Sequence, residues 1–143
     1  MSDFSIQWAD WQRDYDGLTS VRKRVFVDEQ QVPIAEEMDD MDDQSLHVKA
    51  ITADARIIGT SRLLPAHYIG RMCVLSEWRK RGVASAMMKF LIAHARAEGI
   101  SALYLNAQIT ALTFYQQFGF VADSEIFIEA GIDHRHMSLQ LSQ

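Results

Sequence analysis

Apolar residues recur along this chain with two periods. Phe4, Ile6 and Trp8 alternate with polar residues and predict a strand over Phe4 to Trp8. Tyr15, Leu18, Val21 (or Arg22) and Val25 fall at helical spacing and predict a helix from Trp11 to about Val27. Gln30 to Gln44 shows neither period and is expected to be an irregular acidic loop. Leu46 to Ala53 and Arg56 to Leu64 are rich in β-branched residues, with Ala53-Asp54-Ala55 as the turn of a hairpin, and Tyr68 to Leu75 is a further strand. Val83 to Ala97 is the clearest helix: Val83, Ala86, Met87, Phe90, Leu91 and His94 share one face, and Gly99 ends it. A strand over Ala102 to Asn106, a short helix over Thr110 to Phe118 closed at Gly119, and strands over Phe120 to Ile128 and His134 to Leu141 complete the chain. In the last strand Met137, Leu139 and Leu141 face one way and His134, His136 and Ser138 the other.

This order, β-α-ββ-β-α-β-α-β-β, pairs early hairpins antiparallel. The strand–helix–strand unit over 68–106 requires a parallel crossover. The expected class is α/β (α+β mixed), a mixed sheet covered by helices. With 143 residues, 48% hydrophobic, and no repeat or Pro/Gly-rich linker, the chain is expected to be one domain, 1–143. A net charge of −5 argues against nucleic-acid binding. The single cysteine, Cys73, excludes an internal disulfide. The start Met1-Ser2-Asp3-Phe4 does not read as a signal sequence, and no apolar run reaches membrane-spanning length, so a cytoplasmic location with no membrane partner is expected. Exposed edge strands permit a homodimer.

Chemistry concentrates first at Arg79-Lys80-Arg81-Gly82-Val83-Ala84, which follows the apolar run Met72-Cys73-Val74-Leu75 and opens the clearest helix. Unpaired backbone N–H groups and the helix dipole make such a turn an anion site, and Gly82 lets the backbone approach a phosphate closely. Neither Gly-x-Gly-x-x-Gly nor Gly-Lys-Ser/Thr occurs, so this is neither a dinucleotide fingerprint nor a Walker loop.

In this setting Arg79-x-x-Gly82-x-Ala84 resembles the pyrophosphate loop of the GNAT superfamily of acyl-CoA-dependent N-acetyltransferases. Leu105-Asn106-Ala107-Gln108 followed by Phe114-Tyr115 and Gly119-Phe120 is similar to the C-terminal half of that family's cofactor site. Arg22-x-x-Val25-Phe26-Val27-x-Glu29-Gln30 and the segment Glu129 to His134 resemble one small bacterial subgroup. The resemblance covers nearly the whole chain. It implies a GNAT-like central mixed sheet of about seven strands, splayed between the fourth and fifth.

The resemblance also implies an N-acetyltransferase that moves an acetyl group from acetyl-CoA, as co-substrate, to a primary amine by direct attack in a ternary complex. The alternative is a non-catalytic acyl-CoA-binding or sensing module. Met72, Cys73 and Val74 would run alongside pantetheine, with a Val74 N–H as oxyanion donor. Arg79, Lys80, Arg81, Gly82, Val83, Ala84 and Ser85 would hold the pyrophosphate. Asn106, Phe114 and Tyr115 would contact the cofactor arm, with Tyr115 as general acid. The base is expected to be a carboxylate, Glu29 or Glu36, with Glu37 and Asp39 nearby; the acceptor is a small-molecule or peptide amine.

Asp28 to Asp43 holds eight acids, most of them expected to form a solvated face. EF-hand spacing is absent from Asp39 to Asp43. His134 and His136 share a strand face with no third ligand nearby, so no metal is expected and a pocket-lining or surface role is preferred. His94 is expected in the core. Cys73, with no base at a recognisable spacing, is expected to be a small buried strand residue rather than a nucleophile. Arg62 and Arg71, on strands, need partners and would pair with the acidic loop or bind an acceptor carboxylate.

Overall fold

The computed structural model describes residues 3–141; Met1, Ser2, Ser142 and Gln143, at the bounds of the expected domain, lie outside the described residues. The elements run β1 (Phe4–Ala9), α1 (Tyr15–Arg22), a π-helical stretch (Lys23–Glu29), α2 (Ile34–Glu37), β2 (Leu46–Thr52), β3 (Ile57–Leu63) and β4 (Ile69–Val74). They continue with α3 (Val83–Ala97), β5 (Ala102–Gln108), α4 (Leu112–Gln116), β6 (Val121–Ala122), β7 (Phe127–Glu129) and β8 (Ile132–Gln140).

The strands form two antiparallel sheets of four rather than one continuous mixed sheet. One has the order β1-β2-β3-β4; in the other β8 pairs with β5, β6 and β7. Their only parallel contact among the described residues is the bridge between Tyr68 and Tyr104, so β4 and β5 meet there and part beyond it. The splay between the fourth and fifth strands is thus present, and the parallel crossover shrinks to one bridge.

Several expected elements change where tertiary contacts override local pattern. The first helix is α-helical only over α1. Its continuation winds with Gln30 N–H donating to the Val25 carbonyl, five residues back, as π-helical turns do. The acidic loop contains α2 and a 3-10 turn at Asp42–Gln44. The expected strand over Phe120 to Ile128 splits into β6 and β7, and the helix over Thr110 to Phe118 shortens to a 3-10 turn plus α4.

The core packs α3 onto the first sheet. The face α3 buries is Val83, Met87, Met88, Leu91, Ile92 and Ala95, rotated from the expected one. Phe90 and His94 sit on its flank, each edge-on to the Trp8 ring, so His94 is not a core residue. A Cβ at Gly59 would lie 3.2 Å from both the Cys73 carbonyl oxygen and Val83 Cγ1, so its absence lets α3 settle on β3 and β4.

Asp14, at the start of α1, ties that helix to the sheet by accepting a hydrogen bond from buried Lys49 on β2 at 3.1 Å. Burial pushes its carboxyl up, but hydrogen bonds from Arg13, the Asp10 amide and Lys49 outweigh it and hold Asp14 at about 2. A carboxylate depressed on folding stabilises above its unfolded value and loses that contribution as pH falls. Asp14→Asn is therefore expected to cost about 2 kcal/mol at pH 7. The deficit should close as pH is lowered from about 4 to 2, which thermal melts of both proteins across that range will test. A constant deficit at every pH would assign the loss to packing.

Candidate functional site

Beyond the Tyr68–Tyr104 bridge the two sheets diverge into a cleft of about 590 Å³. Its walls come from β4 (Ile69, Gly70, Arg71, Met72), β5 (Leu105, Asn106, Gln108), the α1–α2 region (Phe26, Gln30, Glu36, Glu37) and Tyr115 of α4. The π-helical winding presents Phe26 and Gln30 to this space, and Gln108 Nε2 donates to Gln30 Oε1 at 2.9 Å across it.

Strand β4 exposes backbone to the cleft. Leu75 N–H donates to the Ile58 carbonyl, and bonded and non-bonded pairs alternate along an antiparallel ladder. Val74, opposite Gly59, therefore directs its N–H and C=O away from β3. Its carbonyl accepts from Arg79 Nε at 3.0 Å, which leaves the N–H as the available group. A register shift between Thr60 and Arg62 bulges the strand at Arg71, whose φ is 50°. Cys73 itself is buried, with its backbone bonded toward Thr60, so its side chain does not line the cleft.

At the far end of β4 the chain turns into α3. Gly82 holds φ at +83°, a left-handed cap that costs any other L-residue strain. The first bond of the helix is Ala86 N–H to the Gly82 carbonyl, and the amides of Lys80, Arg81, Gly82, Val83, Ala84 and Ser85 have no partner among the described residues. The turn expected to hold an anion thus presents six unpaired backbone donors. Arg79 is spent elsewhere: its guanidinium bonds the Val74 carbonyl and both oxygens of Glu29. Arg81 lies over the Trp78 ring at 4.8 Å.

Tyr115 is half-buried on the cleft wall, and burial followed by nearby Cys73 pushes its phenol up to about 12. Burial pushes the Cys73 thiol up to about 12 as well. Phe114 packs on Tyr115 and Phe118 and is not among the cleft-lining residues. Asn106 lines the cleft, with Nδ2 donating to Glu129 Oε1 at 3.5 Å.

Six of the eight acids of the segment are exposed, as expected, but Glu37 and Asp42 are buried. Arg22 is 1% exposed and donates to Glu37 Oε2 at 2.7 Å and Asp42 Oδ1 at 2.8 Å. Arg62 bonds Asp42 and Asp39, and Arg71 bonds Glu37 and Asp39, so both strand arginines serve the acidic loop. Burial pushes Asp42 up, but bonds from Arg22 and Arg62 win and lower it. Buried His47, stacked on Trp11, is lowered by its desolvation, and its Nε2–H donates to the Asp42 carbonyl. Arg62 Nε is the one buried side-chain polar atom without a partner among the described residues.

Of the candidate bases, Glu36 lines the cleft and its carboxylate has no partner among the described residues, whereas Glu29 is committed to Arg79. His134 lines the cleft, stacked on Phe127; His136 contacts Tyr68. Sequence reasoning missed the Arg22 hub and Tyr68. Arg22 left one signal, a charge at an apolar position of its helix; Tyr68 left none. Among the described residues no group of three or more His, Cys, Asp or Glu could hold a metal, and no helix is long and apolar enough to cross a membrane.

A family model described as an acetyltransferase (GNAT) domain matches residues 13–141. An uncharacterized N-acetyltransferase of Bacillus subtilis, YjcF, is 37% identical over 121 residues, covering 82% of this chain and 86% of its own. An acyl-CoA N-acyltransferase from Pseudomonas aeruginosa superposes with a TM-score of 0.83 at 26% identity, covering 94% of this chain and 98% of that one. A GNAT family acetyltransferase from Elizabethkingia anophelis, solved with acetyl-CoA bound, shares the fold with a TM-score of 0.69 at 17% identity, covering 99% of this chain and 100% of that one.

Proposed function

This chain belongs to the GNAT acetyltransferase family, and from that premise we propose that, as a single domain, it transfers acetyl from acetyl-CoA to a primary amine by direct attack. The observation that carries this reading is the alignment of three features along β4. An unpaired amide cradle lies at its α3 end, the Val74 N–H points away from β3, and Met72 and Tyr115 line the cleft. The cradle suits a pyrophosphate, because backbone amides and the dipole of a 15-residue helix both favour the dianion. Met72 and Asn106 would flank the pantetheine arm.

The amine nitrogen attacks the thioester carbon, a C–N bond forms, and charge collects on the carbonyl oxygen, for which an outward-pointing backbone N–H of β4 is the oxyanion donor. One such donor contributes roughly 3–4 kcal/mol. The C–S bond then breaks, the departing thiolate takes its proton from Tyr115, and the proton that the nitrogen sheds on becoming an amide returns through water to the Tyr115 oxygen. Glu36, open to the cleft, draws in the cationic amine. The acceptor is a small-molecule or peptide amine, and the reading places the enzyme in the cytoplasm.

Thermal shift with acetyl-CoA, CoA, ATP and NAD tests ligand identity. A ligand at about 100 times its Kd adds roughly 2.7 kcal/mol, so acetyl-CoA and CoA should raise Tm by several degrees. ATP and NAD should raise it less. Equal shifts from all four would reduce the cradle to a generic phosphate site. An amine panel scored by CoA thiol release then tests transfer, and tight acetyl-CoA binding with no release from any amine would favour a sensing module.

A further inference from the structure

On the side of the second sheet that carries Asn106, Gln108 and His134, three side chains stand in a hydrogen-bonded row that the chemistry above does not use. Tyr68 lines the cleft, and its hydroxyl lies 2.9 Å from His136 Nε2. His136 Nδ1 bonds Asp123 Oδ1. A carboxylate only accepts, so Nδ1 carries a proton, and in the neutral ring Nε2 accepts the Tyr68 O–H. Ser138 Oγ donates to the second Asp123 oxygen at 3.0 Å, and Ser124 Oγ accepts from the His136 amide at 2.9 Å, so the His136–Asp123 half of the row is held in place. The hydrogen bond from His136, then that from Ser138, holds the Asp123 carboxyl below its ordinary range. Tyr104 packs against both Tyr68 and His136, and Asn106 stands opposite His136 in register.

Position gives the row its meaning. Tyr68 is at the bridge where β4 and β5 meet, and the amide cradle lies beyond the other end of β4. A thioester anchored by its pyrophosphate at the cradle and laid along β4 extends its acyl end toward Tyr68. The opposite end of the row leads outward: His136 is 25% exposed and Asp123 43%. One end therefore faces the reaction space and the other faces water.

We propose that Tyr68, His136 and Asp123 form a proton-exit relay that deprotonates the acceptor amine. An ammonium proton passes to the Tyr68 oxygen while the tyrosine's own proton passes to His136 Nε2. The resulting imidazolium is held against the Asp123 carboxylate and returns its proton to solvent. The N–H bond of the ammonium breaks, the tyrosine O–H is restored, and the net product is a neutral amine and one proton in water. Tyr68 touches the substrate; His136 and Asp123 act through it. The relay stands on the acetyl-transfer reading and replaces a carboxylate base with a tyrosine, leaving Glu36 to attract the cation.

The test compares wild type with Tyr68→Phe, His136→Gln, Asp123→Asn and Glu36→Gln in kcat/KM against pH. The acceptors are the best cationic amine among spermidine, glucosamine and lysine, and O-methylhydroxylamine, which is neutral at pH 7 and needs no base. Y68F and H136Q should lower turnover of the cationic amine about 10²-fold and abolish the acid limb of its profile. D123N should fall between them and wild type. The melting temperature and acetyl-CoA affinity should hold, and turnover of O-methylhydroxylamine should change little. An acid limb intact in Y68F, or lost in E36Q instead, overturns the relay and leaves acetyl transfer standing. Equal losses with both amines would make the row structural. Absence of thiol release from the wild type with every amine would overturn the acetyl-transfer reading and the relay with it.

Discussion

Tyr115→Phe should reduce kcat by about 10²-fold or more while leaving acetyl-CoA affinity within about twofold, because a positioned acid contributes typically 10²–10⁴-fold and binding rests on the amide cradle. Against a free thiol of about 8.5, a phenol near 12 is a poor acid, and full transfer would run uphill by about 5 kcal/mol. The leaving thiolate is not in free solution, however. A CoA sulfur lying against Met72 and Tyr115 would lose hydration, which raises a thiol's pKa and narrows that gap. The raised phenol value keeps Tyr115 protonated through about pH 10, so wild-type kcat should show no basic limb below that pH. Isothermal titration with acetyl-CoA and thiol-release kinetics on both proteins decide the matter. Unchanged turnover in the Phe variant removes Tyr115 as the acid, and lost affinity reassigns it to cofactor packing.

Arg22→Ala should destabilise the fold more than any other single surface-to-core charge change in the chain. Arg22 is 1% exposed and bonds Glu37 and Asp42, themselves buried. Removing one partner of a buried ion pair leaves an uncompensated charge and costs about 3–5 kcal/mol. In a chain of this size each kcal/mol moves Tm by about 2–4 °C, so a drop on the order of 10 °C is expected. Because Glu37 anchors α2, which carries Glu36 to the cleft, KM for a cationic amine should rise with kcat less affected. Raising the pH from 5 to 8 should not restore stability, since it only favours the charged carboxylates, which then keep Arg62 and Arg71 but not Arg22. A Tm change of a degree or two would show that water reaches the cluster.

These two residues illustrate how unevenly the site could be read beforehand. Tyr115 was accessible because it sits in a local block, Phe114-Tyr115 followed by Gly119-Phe120. The cradle was accessible for the same reason: a cap, its glycine and the first helical turn are contiguous, and hydrogen-bond geometry there depends on neighbours within four residues. Arg22 binds Glu37 and Asp42 at separations of 15 and 20 residues, and Arg62 reaches the same carboxylate from another strand. No local period encodes such a meeting, so composition alone reads the acidic segment as solvated. The row from Tyr68 to His136 spans 68 residues and exists only because β4 and β8 flank β5.

By itself, then, the sequence determined most of the order of elements and the glycine-capped turn into α3, since each follows from short-range periodicity or a contiguous motif. The tertiary structure decided that the sheet divides in two and that Cys73 turns away from the cleft. It also spends Arg79 on Glu29 and the Val74 carbonyl, locks Glu37, Asp39 and Asp42 onto three arginines, and completes the row behind Tyr68. The reason is physical: capping, helical period and strand alternation are set within a few residues. Ion pairing and sheet divergence depend on which distant segments are desolvated together, and that is settled only when the chain closes on itself.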